Sequence, residues 1–96
     1  MIHLVNLRNN KPVRPYDVRV DRISVLGNPF KGDRDEDCNQ YAEYFEVQIK
    51  KNSAFLNELR RLWKLHKQYG QLRLFCWCVP LRCHSETIQQ FLNNYI

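Results

Sequence analysis

The feature that most constrains the fold is a short apolar segment late in the chain, residues 71–78. Its residues alternate as they do in a strand, with Leu72, Leu74 and Cys76 on one side and the intervening residues on the other. From Leu74 onward both sides are nearly apolar. A strand that is buried on both faces is typically central in its sheet, so this segment predicts a central strand.

The other segments predict two more strands and three helices. Alternation of apolar and polar residues is typical of strands, and it predicts strands over residues 2–7 and 18–26. Apolar residues at helical spacing predict a first helix through residues 38–49, a second over 53–70 with a glycine as its stop, and a last one with Ser85 as N-cap. The order β-β-α-α-β-α indicates an α/β domain, with helices packed on a sheet of three or slightly more strands.

The length and composition limit the kind of protein this is. With 96 residues and 44% hydrophobic content, the chain forms one core, so we expect a single domain over residues 1–96 and exclude a large multi-domain enzyme. No apolar run approaches the roughly 20 residues of a membrane span. Residues 1–10 also lack the apolar core of a signal peptide. We therefore expect a cytoplasmic protein with no membrane partner.

Three of the four cysteines fall within eight residues, and a histidine follows them directly. We call residues 76–84 the cysteine block. On a strand, Cys76 and Cys78 face the same side, and a turn at Pro80 brings Cys83 and His84 back towards the end of the strand. Thiolates and an imidazole are typical ligands of tetrahedral zinc. The block therefore predicts a zinc site formed by Cys76, Cys78, Cys83 and His84, with Cys38, His66 and His3 as other possible fourth ligands.

The same residues have two other interpretations. Free cysteines are often buried and pack as small hydrophobic side chains, and this block lacks the common C-x2-C spacing of zinc knuckles. Alternatively, Cys83 is a reactive thiol, because Arg82, His84 and the start of a helix beside it would all lower its pKa. Zinc ligation, packing and thiol chemistry all stay open at this point.

Two further features suggest a binding surface. Arg60, Lys64 and Lys67 lie on one face of the second predicted helix, and such a ridge can contact phosphates. A ridge of this kind in a chain of net charge +5 is more often the solvated face of a helix. Trp77 lies on the strand face opposite the two cysteines, where it either covers the core or walls a pocket. We expect Trp77, like Trp63 and Tyr69 of the second helix, in the core.

The chain resembles a known family in three motifs. They are Leu26-Gly27-Asn28-Pro29-Phe30, Tyr41-x-x-Tyr44-Phe45 and Cys76-Trp77-Cys78-x-Pro80-x-x-Cys83-His84. Together they resemble a small domain of unknown function from bacteriophages and bacteria, over roughly residues 22–92. That family has no established activity. The resemblance implies that the Gly-Asn-Pro turn, residues 27–29, lies beside the cysteine block at one end of the sheet, and that the location is the host cytoplasm if a phage encodes the protein.

Two functions are consistent with these patterns. The first is a non-catalytic binding module that contacts a host or phage macromolecule, either protein or nucleic acid, through Gly27, Asn28, Pro29, Trp77 and the ridge. The alternative is an enzyme acting on a nucleotide or nucleoside-like ligand, with Asn28 positioning it and Cys83, or a metal-bound water near His84, doing the chemistry. The enzyme hypothesis predicts a pocket between the Gly-Asn-Pro turn and the cysteine block. Solid packing there, with His84 in the core, would argue against it.

Overall fold

A computed structural model of the protein describes residues 1–79 and 81–95. Its elements occur in the predicted order β-β-α-α-β-α. They are β1 (Ile2–Asn6), β2 (Asp17–Arg19), α1 (Arg34–Lys51), α2 (Ser53–Tyr69), β3 (Leu72–Cys76) and α3 (Ser85–Asn93). The prediction that Pro80 ends β3 and turns the chain falls on a residue outside the described ones. None of the helices described is long and apolar enough to cross a membrane.

The sheet is parallel, with strand order β1-β3-β2. Leu74 lies between Leu4 of β1 and Val18 of β2. The prediction of a central strand is thus confirmed, and Leu74 and Phe75 on its two faces are completely buried. Because parallel strands end at the same edge, the segments that follow β2 and β3 emerge side by side.

The second strand is shorter than predicted. It ends at Arg19, whereas alternation predicted a strand through residue 26. Two turns follow, in which the amide of Ser24 donates to the carbonyl of Asp21 at 2.9 Å and the amide of Gly27 donates to Ser24 at 3.0 Å. The apolar side chain of Ile23 is 76% exposed, so the alternation there reflects a turn and not a pleated surface.

The second helix begins at Ser53 and ends before Gly70 as predicted, whereas the first extends beyond the predicted residues 38–49 at both ends. The carboxylate of Asp33 caps α1 by accepting a hydrogen bond from the amide of Glu36 at 3.3 Å. Gly70 ends α2 with φ of 72°, a left-handed conformation that glycine adopts without strain. Tyr41 and Phe45 of α1 pack their buried rings against the core, as expected of the inward stripe of an amphipathic helix.

Two predictions about individual residues are wrong. Ser85 is the first residue of α3 and not its N-cap, and the capping position is occupied by His84, whose side chain makes no capping bond. The carboxylate of Glu86 instead accepts from the amide of Cys83 at 3.1 Å. Tyr69, the last residue of α2, is 39% exposed and packs on Tyr16, which directly precedes β2.

Candidate functional site

A cavity of about 710 Å³ opens at the carboxyl edge of the sheet. Its walls are the loop after β2, the start of α1 and the segment between β3 and α3. The side chains that line it include four arginines and three aspartates: Arg19, Arg22, Arg34, Arg82, Asp21, Asp33 and Asp37. Asn28 of the Gly-Asn-Pro turn also lines it. Besides Arg82, the cysteine block contributes Cys76, Trp77, Cys78, Cys83 and His84 to the lining. The pocket expected between these two segments is therefore present.

Two cysteines meet at the floor of this cavity. The Sγ atoms of Cys76 and Cys83 lie 2.7 Å apart, and the hydroxyl of Ser85 is 3.7 Å from the Cys76 sulfur. Cys76 is the last residue of β3, and Cys83 lies just before α3, so the sulfurs meet where the strand ends and the helix begins. Both side chains are almost completely buried, and neither forms a disulfide.

The pKa values of the two thiols are shifted in opposite directions. The pKa of Cys76 is lowered to about 6, chiefly because the Cys83 thiol donates a hydrogen bond to its sulfur. The amides of Cys78 and Val79 and the Ser85 hydroxyl add to this effect and outweigh the cost of burial. The pKa of Cys83 is raised, first by the neighbouring Cys76 and then by burial. The pair therefore holds one proton near neutral pH, with Cys76 as the thiolate.

His84 contacts both sides of the site. Its Nε2 lies 2.5 Å from the carbonyl oxygen of Val20, and its Nδ1 lies 3.4 Å from the Cys83 sulfur. Because a carbonyl only accepts, Nε2 carries the proton and Nδ1 is left as an acceptor facing the thiol pair. Burial lowers the pKa of His84, so the ring is neutral.

Trp77 lies at the cavity and not in the core, contrary to our expectation. Its side chain is 53% exposed, and its Nε1–H donates to Asp21 at 3.0 Å. Asp21 is nearly buried and also pairs with the guanidinium of Arg19. Burial is the largest effect on the Asp21 pKa and raises it, but the hydrogen bonds from Arg19 and Trp77 together bring it below its usual value. This carboxylate holds the Nε1 edge of the indole, and about half of the side chain stays exposed.

The Gly-Asn-Pro turn is held rigidly beside the block. A Cβ on Gly27 would lie 2.5 Å from the carbonyl oxygen of Asp21, so only glycine fits this close approach. The Asn28 side chain accepts from the amide of Phe30 at 3.0 Å and donates to the carbonyl of Asp37 at 3.4 Å. Asn28 thus lines the cavity while its amide group holds the loop in shape, and Pro29 is exposed on the outer side.

The structure separates the remaining candidate residues from this site, with the exception of Cys38. Arg60, Lys64 and Lys67 are exposed along α2, which contributes no side chain to the cavity lining. The Nε2 of His66 lies 3.0 Å from the amino group of Met1, and His3 is exposed on β1. Cys38, on α1, lies at the cavity wall.

No metal-binding group emerges from the residues described. Among positions 1–79 and 81–95, no three or more His, Cys, Asp or Glu side chains are arranged to hold an ion. Two ligands of one tetrahedral zinc, each about 2.3 Å from the metal, lie roughly 3.7 Å apart, a wider separation than the 2.7 Å between Cys76 and Cys83. Zinc at Cys76, Cys78, Cys83 and His84 stays a prediction.

Sequence reasoning missed most of the charged residues of the lining, and Asp21 and Arg82 show why. Asp21 was placed in a strand, so its role at the cavity was not seen, and only the turn residues that follow it could have indicated one. Arg82 was considered only as a neighbour of Cys83. Its guanidinium reaches Asn39 at 2.7 Å and Asp35 at 3.4 Å, and it thereby links the cysteine block to α1.

Comparison with known proteins identifies one family. Residues 5–94 match the model of a family described as Domain of unknown function (DUF4326). The match extends beyond the residues 22–92 over which the motifs suggested a resemblance. No curated protein and no solved structure matches the chain.

Proposed function

The chain belongs to the family described as Domain of unknown function (DUF4326), and from this premise we propose that it is a small-molecule-binding domain for a nucleotide-like ligand. The observation that carries the proposal is the cavity at the carboxyl edge of the parallel sheet, with an exposed indole as one wall. Open α/β sheets bind their ligands at this edge, and about 710 Å³ is a usual size for a ligand pocket.

The arginines and the helix ends in the walls favour an anionic group on the ligand. Four arginines lie in the lining beside three aspartates and the Cys76 thiolate, so the formal charges balance, and an anion would bind at the guanidinium groups and the helix ends. Residues at the start of α1 line the cavity, as do Cys83 and His84 just before α3. The positive end of each helix dipole therefore lies at the cavity, where it stabilises a phosphate or a carboxylate.

The exposed indole favours a planar group on the same ligand. Trp77 is fixed by its hydrogen bond to Asp21, so little side-chain entropy is lost when a flat ring stacks on it. Base-on-aromatic stacking contributes about 1–3 kcal/mol. A ligand that carries both a phosphate and a planar base is a nucleotide.

The other function suggested by the sequence has less support. A macromolecular partner would contact both the Gly-Asn-Pro turn with Trp77 and the ridge Arg60, Lys64 and Lys67, but the ridge lies away from the cavity on α2. The Lys67 ammonium lies over the ring of Trp63, 5.4 Å from its centroid, as in an ordinary helix surface. Salt-dependent binding of duplex or single-stranded nucleic acid would support this alternative.

Tryptophan fluorescence tests the proposal directly. The chain has two tryptophans, so Trp63→Phe leaves Trp77 as the only one. We expect AMP to change the emission of this variant saturably, and we expect adenosine and inorganic phosphate, each carrying half of the recognition, to bind more weakly. In Trp77→Phe the remaining Trp63 lies on α2, away from the cavity, and its emission should not change.

A matched pair of arginine variants tests whether the anionic group of the ligand binds at the cavity. Arg82 and Arg61 each form one surface ion pair, with Asp35 and Glu58 respectively, but only Arg82 lines the cavity. We expect Arg82→Gln to raise the Kd for AMP about tenfold, the effect of one charge-assisted contact, and Arg61→Gln to leave it within about twofold. Equal effects of the two variants, or no saturable binding of AMP, GMP, CMP or UMP, would refute the proposal.

A further inference from the structure

The thiol pair at the cavity floor has a chemistry that ligand binding does not use. Cys76 and Cys83 have their sulfur atoms 2.7 Å apart, and a disulfide bond requires a separation of about 2.05 Å. A shift of well under 1 Å therefore brings them to bonding distance. Cys83 lies two residues before the first residue of α3, and the described residues between the two cysteines, 77–79 and 81–82, lie outside every helix and strand, so this approach disturbs no regular structure among them.

The surroundings of the two sulfurs differ in a way that assigns them different roles. The hydroxyl of Ser85 lies 3.7 Å from the Cys76 sulfur and, with the amides of Cys78 and Val79, stabilises a thiolate there. Ser85 also stabilises a thiolate at Cys83, but burial and the neighbouring Cys76 outweigh this effect. The Cys83 thiol holds the shared proton, and it faces the unprotonated Nδ1 of His84 at 3.4 Å. Cys76 is therefore the nucleophile of the pair, and Cys83 is the thiol that resolves its oxidised form.

We propose that Cys76 and Cys83 form a redox-active dithiol that hydrogen peroxide oxidises to an intramolecular disulfide. The Cys76 thiolate attacks one peroxide oxygen, so that an S–O bond forms, the O–O bond breaks and hydroxide leaves. This hydroxide takes the Cys83 proton and becomes water. The Cys83 thiolate then attacks the sulfenic acid of Cys76, the S–S bond forms, the S–O bond breaks, and a second hydroxide leaves to solvent. The two sulfurs lose two electrons, and the peroxide gains them.

Burial of the pair selects the oxidant. Cys76 is 1% exposed and Cys83 is 3% exposed, although both border the cavity. A bulky disulfide such as oxidised glutathione cannot align its S–S bond with a sulfur at this depth. Hydrogen peroxide is little larger than water and reaches the floor of the cavity.

Mass spectrometry of the full chain tests the proposal. Reduced protein is treated with equimolar hydrogen peroxide or, in a separate arm, with oxidised glutathione, then alkylated under denaturing conditions and digested with trypsin. Cleavage after Arg73 and Arg82 leaves Cys76 and Cys78 in peptide 74–82 and Cys83 in peptide 83–96. With peroxide we expect the free thiols to fall from the four of the reduced chain to two, and the two peptides to be joined. Dithiothreitol should separate them, and oxidised glutathione should react at least tenfold more slowly.

Serine variants identify which two cysteines form the disulfide. Cys78→Ser should still form the link, whereas Cys76→Ser and Cys83→Ser should lose it while keeping the circular dichroism spectrum of the wild type. If a variant fails to fold, the wild-type result still decides, because a chain that keeps four thiols refutes the proposal. A link that persists in Cys76→Ser also overturns it, since Cys78 would then be the partner. One zinc per chain that protects the thiols until a chelator removes it overturns it as well. No nucleotide is present, so this outcome is independent of the ligand proposal.

Discussion

Among single residues, His84 connects the two walls of the cavity. Its ring bonds the Val20 carbonyl after β2 and faces the Cys83 sulfur before α3, and it packs edge-on against Tyr41 at 4.9 Å between centroids. The ring is buried beside the Cys76–Cys83 thiol pair, and the charges of Arg22 and Asp21 also act on it. Protonation would place a positive charge in this apolar setting, so the shape of the site depends on a neutral histidine.

This arrangement makes stability depend on pH in a defined direction. Burial lowers the pKa of His84 in the folded chain, so in mildly acidic solution the unfolded chain binds a proton that the folded chain does not. The stabilisation is present above the unfolded pKa of about 6.5 and is lost as the pH falls below it. In His84→Gln, the amide can still donate to Val20. We expect the free energy of unfolding of this variant to fall by about 1 kcal/mol less than that of the wild type between pH 7 and pH 5.

Urea unfolding at the two pH values measures this difference. His3→Gln is the control, because His3 is exposed on β1, and its loss of stability should match that of the wild type. His66 is unchanged in both variants and contributes equally to each. If the two variants lose the same free energy of unfolding, His84 is not the group responsible.

At the scale of elements, the Gly-Asn-Pro turn determines how the loop after β2 packs. Gly27 lies against the backbone of Asp21 and Arg22, where an added Cβ would be 2.5 Å and 2.7 Å from the nearest atoms. At Gly32 the nearest atom to such a Cβ is a side-chain oxygen of Asp37 at 3.3 Å, which can move. The two glycines of one loop therefore have very different tolerance for a side chain.

We expect Gly27→Ala to reduce the free energy of unfolding by about 2 kcal/mol or more, because backbone must move to admit the methyl group. Gly32→Ala should change it by no more than about 0.5 kcal/mol. Denaturant titration of both variants checks this prediction. Comparable losses in the two would mean that the close approach at Gly27 is relieved by a small shift of the loop.

The elements show what sequence periodicity can and cannot predict. Helical spacing predicted α1 and α2, and the doubly apolar pattern predicted the central β3, because each reflects burial over many residues. Alternation over residues 21–26 was misleading, since consecutive turns and a strand both place apolar residues two apart. The three residues of β2 are too few to carry a pattern of their own.

The candidate site was predicted only in its position. The resemblance implied that the turn and the cysteine block meet at one end of the sheet, and the cavity lies there. The partner of Cys76 was not predictable, because strand geometry places Cys78 on the same face, whereas the contact with Cys83 depends on how the segment 77–82 folds back. Trp77 was assigned to the core because an indole is mostly apolar, and its bond to Asp21 depends on a long-range contact.

For the molecule as a whole, the strand order makes β3 the most protected element. Its carbonyls at Phe75 and Cys76 accept from the amides of Val20 and Leu7, so that hydrogen bonds run to both neighbours. The turns at residues 21–26 have short local bonds and exposed side chains. Opening β3 requires both outer strands to separate, which amounts to unfolding the domain.

Hydrogen exchange followed by mass spectrometry should therefore show peptides covering residues 72–76 exchanging last, at the rate set by global unfolding. Peptides covering residues 21–26 should exchange at least tenfold faster. The reverse order would mean that the sheet opens from β3 while the loop after β2 stays folded. A saturating ligand that binds the folded chain in the cavity should slow exchange in both sets of peptides, because it lowers the population of the globally unfolded state through which β3 exchanges.

The strand order β1-β3-β2 also governs how the chain folds as it leaves the ribosome. The middle strand is the last of the three to be synthesised, so β1 and β2 have no neighbour in the sheet until residue 76 has emerged. A nascent chain that stops after α2 carries two helices with their apolar faces uncovered and two strands that cannot pair as they do in the finished protein. The domain therefore cannot fold until nearly all of it has been translated. Before that point, the unpaired nascent chain is a substrate for a chaperone.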